Sequence, residues 1–222
     1  MNELSIIIPT LNEQAAIVAT LQKLQPLRQT GHEVIIVDGG STDQTCRLAD
    51  PLVDRVLRSE CGRARQMNLG AQMAQHDILL FLHADTYLPA QADTLIINGL
   101  EKRRWGRFDV RLSGQAWLLR VVERLINWRS RLTGIATGDQ ALFIQRQLYT
   151  QVQGFPDIPL MEDITLSHRL KRLSRPYCIT TPVITSSRRW EQQGIMRTIL
   201  LMWSLRLAYA FGVSPHTLKK YY

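Results

Sequence analysis

Cysteine is scarce in this chain: Cys46, Cys61 and Cys178 stand far apart and form no CxxC pair, so neither a disulfide framework nor a structural zinc site is encoded. That scarcity points to a reduced, cytoplasmic setting. Glycine-rich phosphate loops are missing as well. No GxGxxG and no Walker A sequence occurs, which excludes a nicotinamide-binding fingerprint and P-loop chemistry. Long uninterrupted apolar runs are absent too: the longest stretch, Ile195 to Val213, carries Arg197 and Arg206, and a central arginine is costly in hydrocarbon. It reads as an amphipathic helix. Met1-Asn2-Glu3 runs straight into a short strand pattern, with no basic segment and apolar core, so no export signal is expected there. Repeats, low-complexity segments and obvious linkers are lacking. Lysine is rare: 22 of the 27 basic residues are arginine, which suits bidentate contacts with phosphate or carboxylate.

What is present is enough apolar content, 45% of 222 residues, to bury one full core. Charge is divided unevenly. Residues 1–100 hold 7 basic and 11 acidic side chains, net −4, and residues 101–222 hold 20 and 8, net +12. The second half therefore faces an anionic partner or a membrane surface, the plainer alternative being a solvated basic face. Apolar runs alternating with helical patterns predict strand 4–9, helix 13–28, strand 33–38, helix 43–50, strand 53–57, helix 63–75 and strand 78–82. That is an α/β chain with a mostly parallel sheet flanked by helices. Thr10-Leu11-Asn12-Glu13 and Ser41-Thr42-Asp43-Gln44 each match the capping box at a helix start. Further on, the patterns predict helix 90–103, strand 107–114, a basic helix 115–132, a flexible loop over Thr133–Asp139, strand 140–144, helix 162–173, strand 177–184 and a final helix 193–212.

Ile78 to Leu82 leads into His83-Ala84-Asp85. A buried strand has no reason to carry a carboxylate inward, so Asp85 is expected at the strand's carboxyl end, where open α/β sheets place ligands. Asp38-Gly39-Gly40 ends the second strand in the same way. The glycines let a planar base or ribose approach the backbone, with Asp38 accepting its hydrogen bonds or merely shaping the turn. Arg63 and Arg65 open the third helix, where they and its terminal amides are placed to grip a diphosphate, surface charge being the plainer role. Glu162-Asp163 starts a helix, a place acidic residues occupy for the dipole alone.

Taken in order, Ile6-Ile7-Ile8-Pro9-Thr10-Leu11-Asn12-Glu13, Val37-Asp38-Gly39-Gly40-Ser41-Thr42-Asp43, the Arg63–Gly70 segment, the Asp85 strand end and Met161-Glu162-Asp163 resemble the family 2 glycosyltransferases, across roughly residues 4–175. The wording Gly62-Arg63-Ala64-Arg65-Gln66-Met67-Asn68, Leu82-His83-Ala84-Asp85-Thr86 and Gly138-Asp139-Gln140 is similar to a small bacterial subgroup labelled arsenosugar biosynthesis glycosyltransferases. The resemblance implies the GT-A nucleotide-diphospho-sugar fold, with residues 1–105 as the nucleotide-binding half of one domain and 106–222 as the acceptor-binding half. It implies that Pro9, Thr10 and Glu13 border the nucleotide and that Asp38, with Gly39, holds base or ribose. Ala84 and Asp85 fall in the family's Asp-x-Asp motif, with Asp85 binding a divalent cation, Mn²⁺ or Mg²⁺. His83 stands where that motif has its first Asp; imidazole ligates Mn²⁺ acceptably and suits Mg²⁺ poorly, and a packed strand-end histidine is the other role. Asp163 falls at the catalytic base, with Glu162 positioning it or binding acceptor; Asp139 is the second candidate, or an acceptor contact.

The chemistry agrees. A sugar-nucleotide donor leaves as a diphosphate whose growing charge must be neutralised, and inversion needs one carboxylate to take the acceptor hydroxyl's proton. Ser187-Arg188-Arg189-Trp190 echoes the Gln-x-x-Arg-Trp motif of processive members, but Ser186 occupies the Gln position. Polymer synthesis is thus not expected, while a diphosphate contact by Arg188 or Arg189 is. The expected function is transfer of one sugar from a UDP-sugar to a small or lipid-linked acceptor, in the cytoplasm or at the inner face of the membrane. A sugar-nucleotide nucleotidyltransferase would need a glycine-rich basic loop that Pro9–Glu13 does not offer. A peripheral membrane module is the non-enzymatic alternative, given Trp117, Trp128, Trp190 and Trp203 among arginines. Nucleic acid is not an expected partner, since no binding motif accompanies the charge.

Overall fold

β-branched and leucine side chains dominate the first apolar runs, and these form strands buried on both faces, as a sheet covered by helices on either side requires. The computed structural model describes residues 3–222; Met1 and Asn2, read above as leading into the first strand, lie outside the described residues. The strands are β1 (Leu4–Thr10), β2 (Glu33–Asp38), β3 (Arg55–Arg58), β4 (Ile78–Phe81), β5 (Thr86–Tyr87), β6 (Trp105–Leu112), β7 (Leu142–Gln145) and β8 (Tyr177–Thr185). They make one sheet in the order β3-β2-β1-β4-β7-β6-β8-β5. The first four strands pair in parallel. β7 then enters antiparallel to both β4 and β6, β8 runs parallel to β6, and the two-residue β5 lies antiparallel on β8.

The helices are α1 (Ile17–Gln29), α2 (Thr45–Ala49), α3 (Arg63–Met73), α4 (Ala92–Lys102), α5 (Trp117–Thr133), α6 (Arg146–Gln151), α7 (Glu162–Leu173), α8 (Arg188–Gln193), α9 (Ile195–Ala210) and α10 (Pro215–Lys219). Alternation along the strands divides the core in two. Ile6, Ile8, Val34, Ile36 and Leu80 pack with Ile17, Leu21 and Ile96 of α1 and α4. Ile7, Ile35, Val37, Leu79 and Phe81 pack with Met67, Leu148 and Leu166 of α3, α6 and α7. A β-carbon on Gly70 would lie 2.4 Å from Ile7 Cγ2, so a glycine there lets α3 sit directly on β1 and β2. That close seat brings the amino end of α3 to the strand ends.

Two expectations are corrected. Neither capping box forms: α1 begins at Ile17 and α2 at Thr45, each without a side-chain cap. Because β1 and β2 end side by side, their loops cap each other instead. Ser41 Oγ accepts from the Asn12 amide at 2.8 Å, Thr45 Oγ1 from the Glu13 amide at 2.8 Å, and Asn12 Oδ1 from the Thr42 amide at 2.9 Å. The loop read as flexible is packed: Ile135, Ala136 and Thr137 are buried, Ser167 Oγ accepts from the Ala136 amide, and Gly138–Gln140 closes a 3₁₀ turn with a capping box of its own. The last predicted helix, 193–212, is α9, and a short unpredicted helix, α8, precedes it across Gly194, whose φ is +84°. α5 likewise follows its predicted span closely.

Candidate active site

The carboxyl ends of β1 and β4, the amino ends of α3 and α7 and the Gly138 turn meet around one crevice. Pro9, Arg63, His83, Thr137, Gly138, Glu162 and Asp163 line it. Asp163 is fixed from two sides. Its Oδ2 accepts from the Gly138 amide at 2.8 Å and its Oδ1 from the Ile164 amide of its own helix at 2.7 Å. Backbone is held in the left-handed region on both flanks of this contact, at Ala141 (φ +45°) and at Met161 (φ +69°), the residue preceding Glu162. Strain of this kind in non-glycine residues gathers where a site must be held in one arrangement. Glu162 is buried, with its Oε1 3.7 Å from Arg63 Nη1. Burial, and then the neighbouring Asp163 charge, push its carboxyl above the usual range despite Arg63. The two adjacent carboxylates are thus set apart: one hydrogen-bonded by amides, one inclined to keep its proton.

His83 closes the floor. Its Nε2 is buried with no hydrogen-bond partner among the described residues, and a β-carbon on Gly138 would lie 2.6 Å from it. Burial, aided by the Arg63 charge, holds this imidazole down to about 3, so it is neutral at physiological pH. It fills the gap between β4 and the Gly138 turn. Asp85, two residues on, belongs to a second acidic group. Burial pushes its carboxyl up, with Asp139 adding to this, while Arg188 and Arg63 pull the other way. Glu13 is likewise raised by burial and by Asp85, against Arg188, whose Nη2 lies 3.9 Å from Glu13 Oε2. One oxygen of Glu13 and one of Asp139 are buried with no partner among the described residues.

Other expected residues are placed less directly. Asp38 is buried, and its oxygens brace its own loop: Oδ2 accepts from the amides of Gly40 at 3.0 Å and Ser41 at 2.9 Å, and Oδ1 from the Ser41 hydroxyl. Burial raises this carboxyl, and those hydrogen bonds outweigh it, so its pKa is lowered. Thr10 and Ala84 contribute backbone, their carbonyls accepting from Gln66 Nε2 and Thr20 Oγ1. Arg65 turns outward to Asp157 at 2.9 Å and to Glu60, leaving Arg63 alone of the pair in the crevice. Arg189 lies over the Tyr222 ring, 3.7 Å from its centroid, while its neighbour Arg188 faces the acidic group.

Two residues had no signal in the sequence. Gln66 reaches under the strand ends, donating to Thr10 O at 2.8 Å and Val37 O at 2.7 Å, and leaves no room beside Gly39, where a β-carbon would stand 3.0 Å from its amide carbon. Arg129, one of four arginines in α5, carries Nε and Nη2 buried and unpartnered among the described residues. Burial and the Arg206 charge push it down to about 10, against the pull of Asp139 and Asp163.

The model of the family described as "Glycosyl transferase family 2" matches residues 5–144, more than half of the chain, including the carboxyl ends of β1, β2 and β4. The chain belongs to glycosyl transferase family 2. Among curated members, the PGL/p-HBAD biosynthesis glycosyltransferase of Mycobacterium tuberculosis is 40% identical over 98 residues, which span 41% of this chain and 38% of that protein. The poly(ribitol-phosphate) β-N-acetylglucosaminyltransferase TarS of Staphylococcus aureus is 29% identical over 97 residues, 40% of this chain and 17% of that one. The matches thus span well under half of these relatives' length. In fold, S. aureus TarS 1-349 in complex with UDP-GlcNAc superimposes with a TM-score of 0.68 at 18% identity, covering 83% of this chain and 58% of that one. The mannosyltransferase PcManGT of Pyrobaculum calidifontis, in complex with GDP-Man and Mn²⁺, gives 0.65 at 24% identity, covering 99% and 67%. The fold is therefore that of the GT-A glycosyltransferases.

PcManGT is in complex with Mn²⁺, and the glucosyl-3-phosphoglycerate synthase of Mycobacterium tuberculosis with Mg²⁺. Among the described residues no three His, Cys, Asp or Glu side chains converge closely enough to cage a metal ion. Asp85, with the charges of Glu13 and Asp139 raising it or raised by it and with orphaned oxygens on both, fits a cation that takes its remaining ligands from a diphosphate. His83 Nε2 faces the Gly138 turn.

Proposed function

We propose that this family 2 chain is an inverting, metal-dependent glycosyltransferase that moves one sugar from a UDP-sugar to a hydroxyl of a small or lipid-linked acceptor, at the inner face of the cytoplasmic membrane or in the cytoplasm. The observation that carries the reading is the Asp163 carboxylate, held by the Gly138 and Ile164 amides inside the crevice that Pro9 and Arg63 also line. Both amides leave each oxygen a further lone pair, so Asp163 accepts the acceptor's proton as its oxygen attacks the anomeric carbon. Glu162, lining the crevice beside the base, shares a hydrogen bond with the acceptor. Arg63, beside Glu162, and Arg188, beside Glu13, offset the charge of the leaving diphosphate. A divalent cation on Asp85, when bound, supplies further neutralisation of that leaving group. Asp38 and Gly39 shape the nucleoside end, so residues 1–105 act as the donor half and 106–222 as the acceptor half.

The relatives support the donor class: TarS is described with UDP-GlcNAc, and the glucosyl-3-phosphoglycerate synthase of Mycobacterium tuberculosis, at a TM-score of 0.60 and 20% identity, with UDP and Mg²⁺. The test is a thermal-shift screen of UDP, GDP, ADP and CMP, each with Mn²⁺, Mg²⁺ or EDTA. A ligand at 100 times its Kd adds about 2.7 kcal/mol, which for a chain of this size is roughly 5–11 °C. UDP with Mn²⁺ is expected to give that rise, and EDTA to remove most of it. No response to any nucleoside diphosphate would overturn the proposal.

A further inference from the structure

The outer faces of α5 and α9 bear no covering element. Trp117, at 70% exposure, stands with Trp128 and Leu132 on α5; Trp203, at 63%, stands with Leu200 and Leu207 on α9, and Phe211, at 81%, follows its last turn. At ~100° per residue, each trio falls within about 80° of arc, on the side away from that helix's buried residues, Leu119 and Val122 in α5 and Thr198 and Leu205 in α9. The helices run in the same direction. Ile195 and Ile199, at the start of α9, pack on the cluster that holds Leu119 and Val122 of α5, while Arg206, towards its end, acts on Arg129 near the end of α5. With both helices right-handed and parallel, the two stripes turn to one side of the molecule.

We infer that α5 and α9 form a single docking face for an anionic lipid bilayer, the helices lying in the plane of its headgroups. Charge selects this occupant. Arg124 and Arg131 flank the α5 stripe and Arg197 and Arg206 the α9 stripe, within the half of the chain that carries a net charge of +12. A stripe of tryptophan, leucine and phenylalanine edged by arginine matches an in-plane amphipathic helix, and no described helix is long and apolar enough to cross a membrane. The inner side of the same pair carries Arg129, whose Nε and Nη2 are buried and which feels the charges of Asp139 and Asp163, so docking sets the acceptor side of the crevice towards the bilayer. The inference deepens the peripheral-membrane part of the proposal and does not depend on the transfer chemistry.

Sucrose-gradient flotation without donor tests it, using vesicles of phosphatidylcholine with 30% phosphatidylglycerol and vesicles of phosphatidylcholine alone. Wild type is expected to float with the anionic vesicles, at least ~10-fold less with the neutral ones, and less at high salt. Trp117→Glu/Trp203→Glu is expected to stay at the bottom while keeping its circular dichroism and Tm, since both side chains are exposed. Asp163→Asn is expected to float like wild type, so a failed transferase reading leaves this result standing. Three results would overturn the inference: no flotation of wild type, flotation unchanged in the double variant, or a dimer in light scattering that the same two substitutions disperse.

Discussion

Replacing Gly138 by alanine tests whether the base is held by its turn. The new methyl would sit 2.6 Å from His83 Nε2 and 3.1 Å from Cε1, well inside the ~3.5 Å at which nonbonded atoms rest. The imidazole has little room to yield, because Nε2 is buried at the strand end. The turn moves instead, and the Gly138 amide draws away from Asp163 Oδ2, now 2.8 Å distant. Overpacking of this kind costs about 1–3 kcal/mol, or roughly 2–4 °C of Tm per kcal/mol in a chain of this length. Displacement of a catalytic group by about 1 Å lowers turnover on the order of 10²-fold. Urea unfolding and UDP release from a UDP-sugar measure the two effects. His83→Ala in the same chain removes the clashing ring, so the double variant is expected to recover stability, with a coupling of about 1 kcal/mol or more. A Gly138→Ala protein within about 0.5 kcal/mol of wild type and equally active would refute the reasoning, as would strict additivity in the double variant.

Arg129→Met removes a half-buried cation whose Nε and Nη2 are buried without partners among the described residues and which is held down to about 10, and is expected to stabilise the fold by roughly 1–3 kcal/mol; a destabilised variant in urea would contradict it. Gln66→Leu removes the side-chain donor shared by the Thr10 and Val37 carbonyls, which keep the Gly39 amide and the Thr10 hydroxyl, and is expected to lose about 1–3 kcal/mol, read by the same unfolding curves. Glu162, raised above its ordinary 4.5 by burial and by Asp163, binds its proton more tightly in the folded state. Its contribution is full below that ordinary value and is lost as pH rises through the folded one. Glu162→Gln is therefore expected to gain stability over wild type from acid to neutral pH; a pH-independent difference in Tm would speak against this.

The sheet was legible because its chemistry is local: Leu4–Ile8, Val34–Val37 and Ile78–Leu82 are apolar runs that only a covered strand can bury, and Glu162–Leu173 carries a helical period that begins and ends where predicted. The candidate site was legible in part for the same reason, since carboxylates at strand and helix ends announce themselves. What stayed hidden depends on neighbours. The capping boxes were well formed as local patterns, yet β1 and β2 end together and each loop found its partners in the other. Thr133–Asp139 looked like a flexible loop because its glycines and small residues hide the packing against α7 that immobilises it. Arg63 and Arg65 look equivalent in sequence, but two positions along a helix turn them about 200° apart, one to the crevice and one to Asp157. Gln66 and Arg129 matter through what lies across the fold from them.

The most direct measurement is transfer by Asp163→Asn, followed as UDP release from a panel of UDP-sugars with water as acceptor, alongside donor affinity by calorimetry. Removing the general base while keeping its shape is expected to leave the Kd for donor within about twofold and to lower turnover by roughly 10²–10⁴-fold. Wild-type turnover with unchanged donor binding would contradict the assignment of Asp163 as the base and, with it, the proposed mechanism of the crevice.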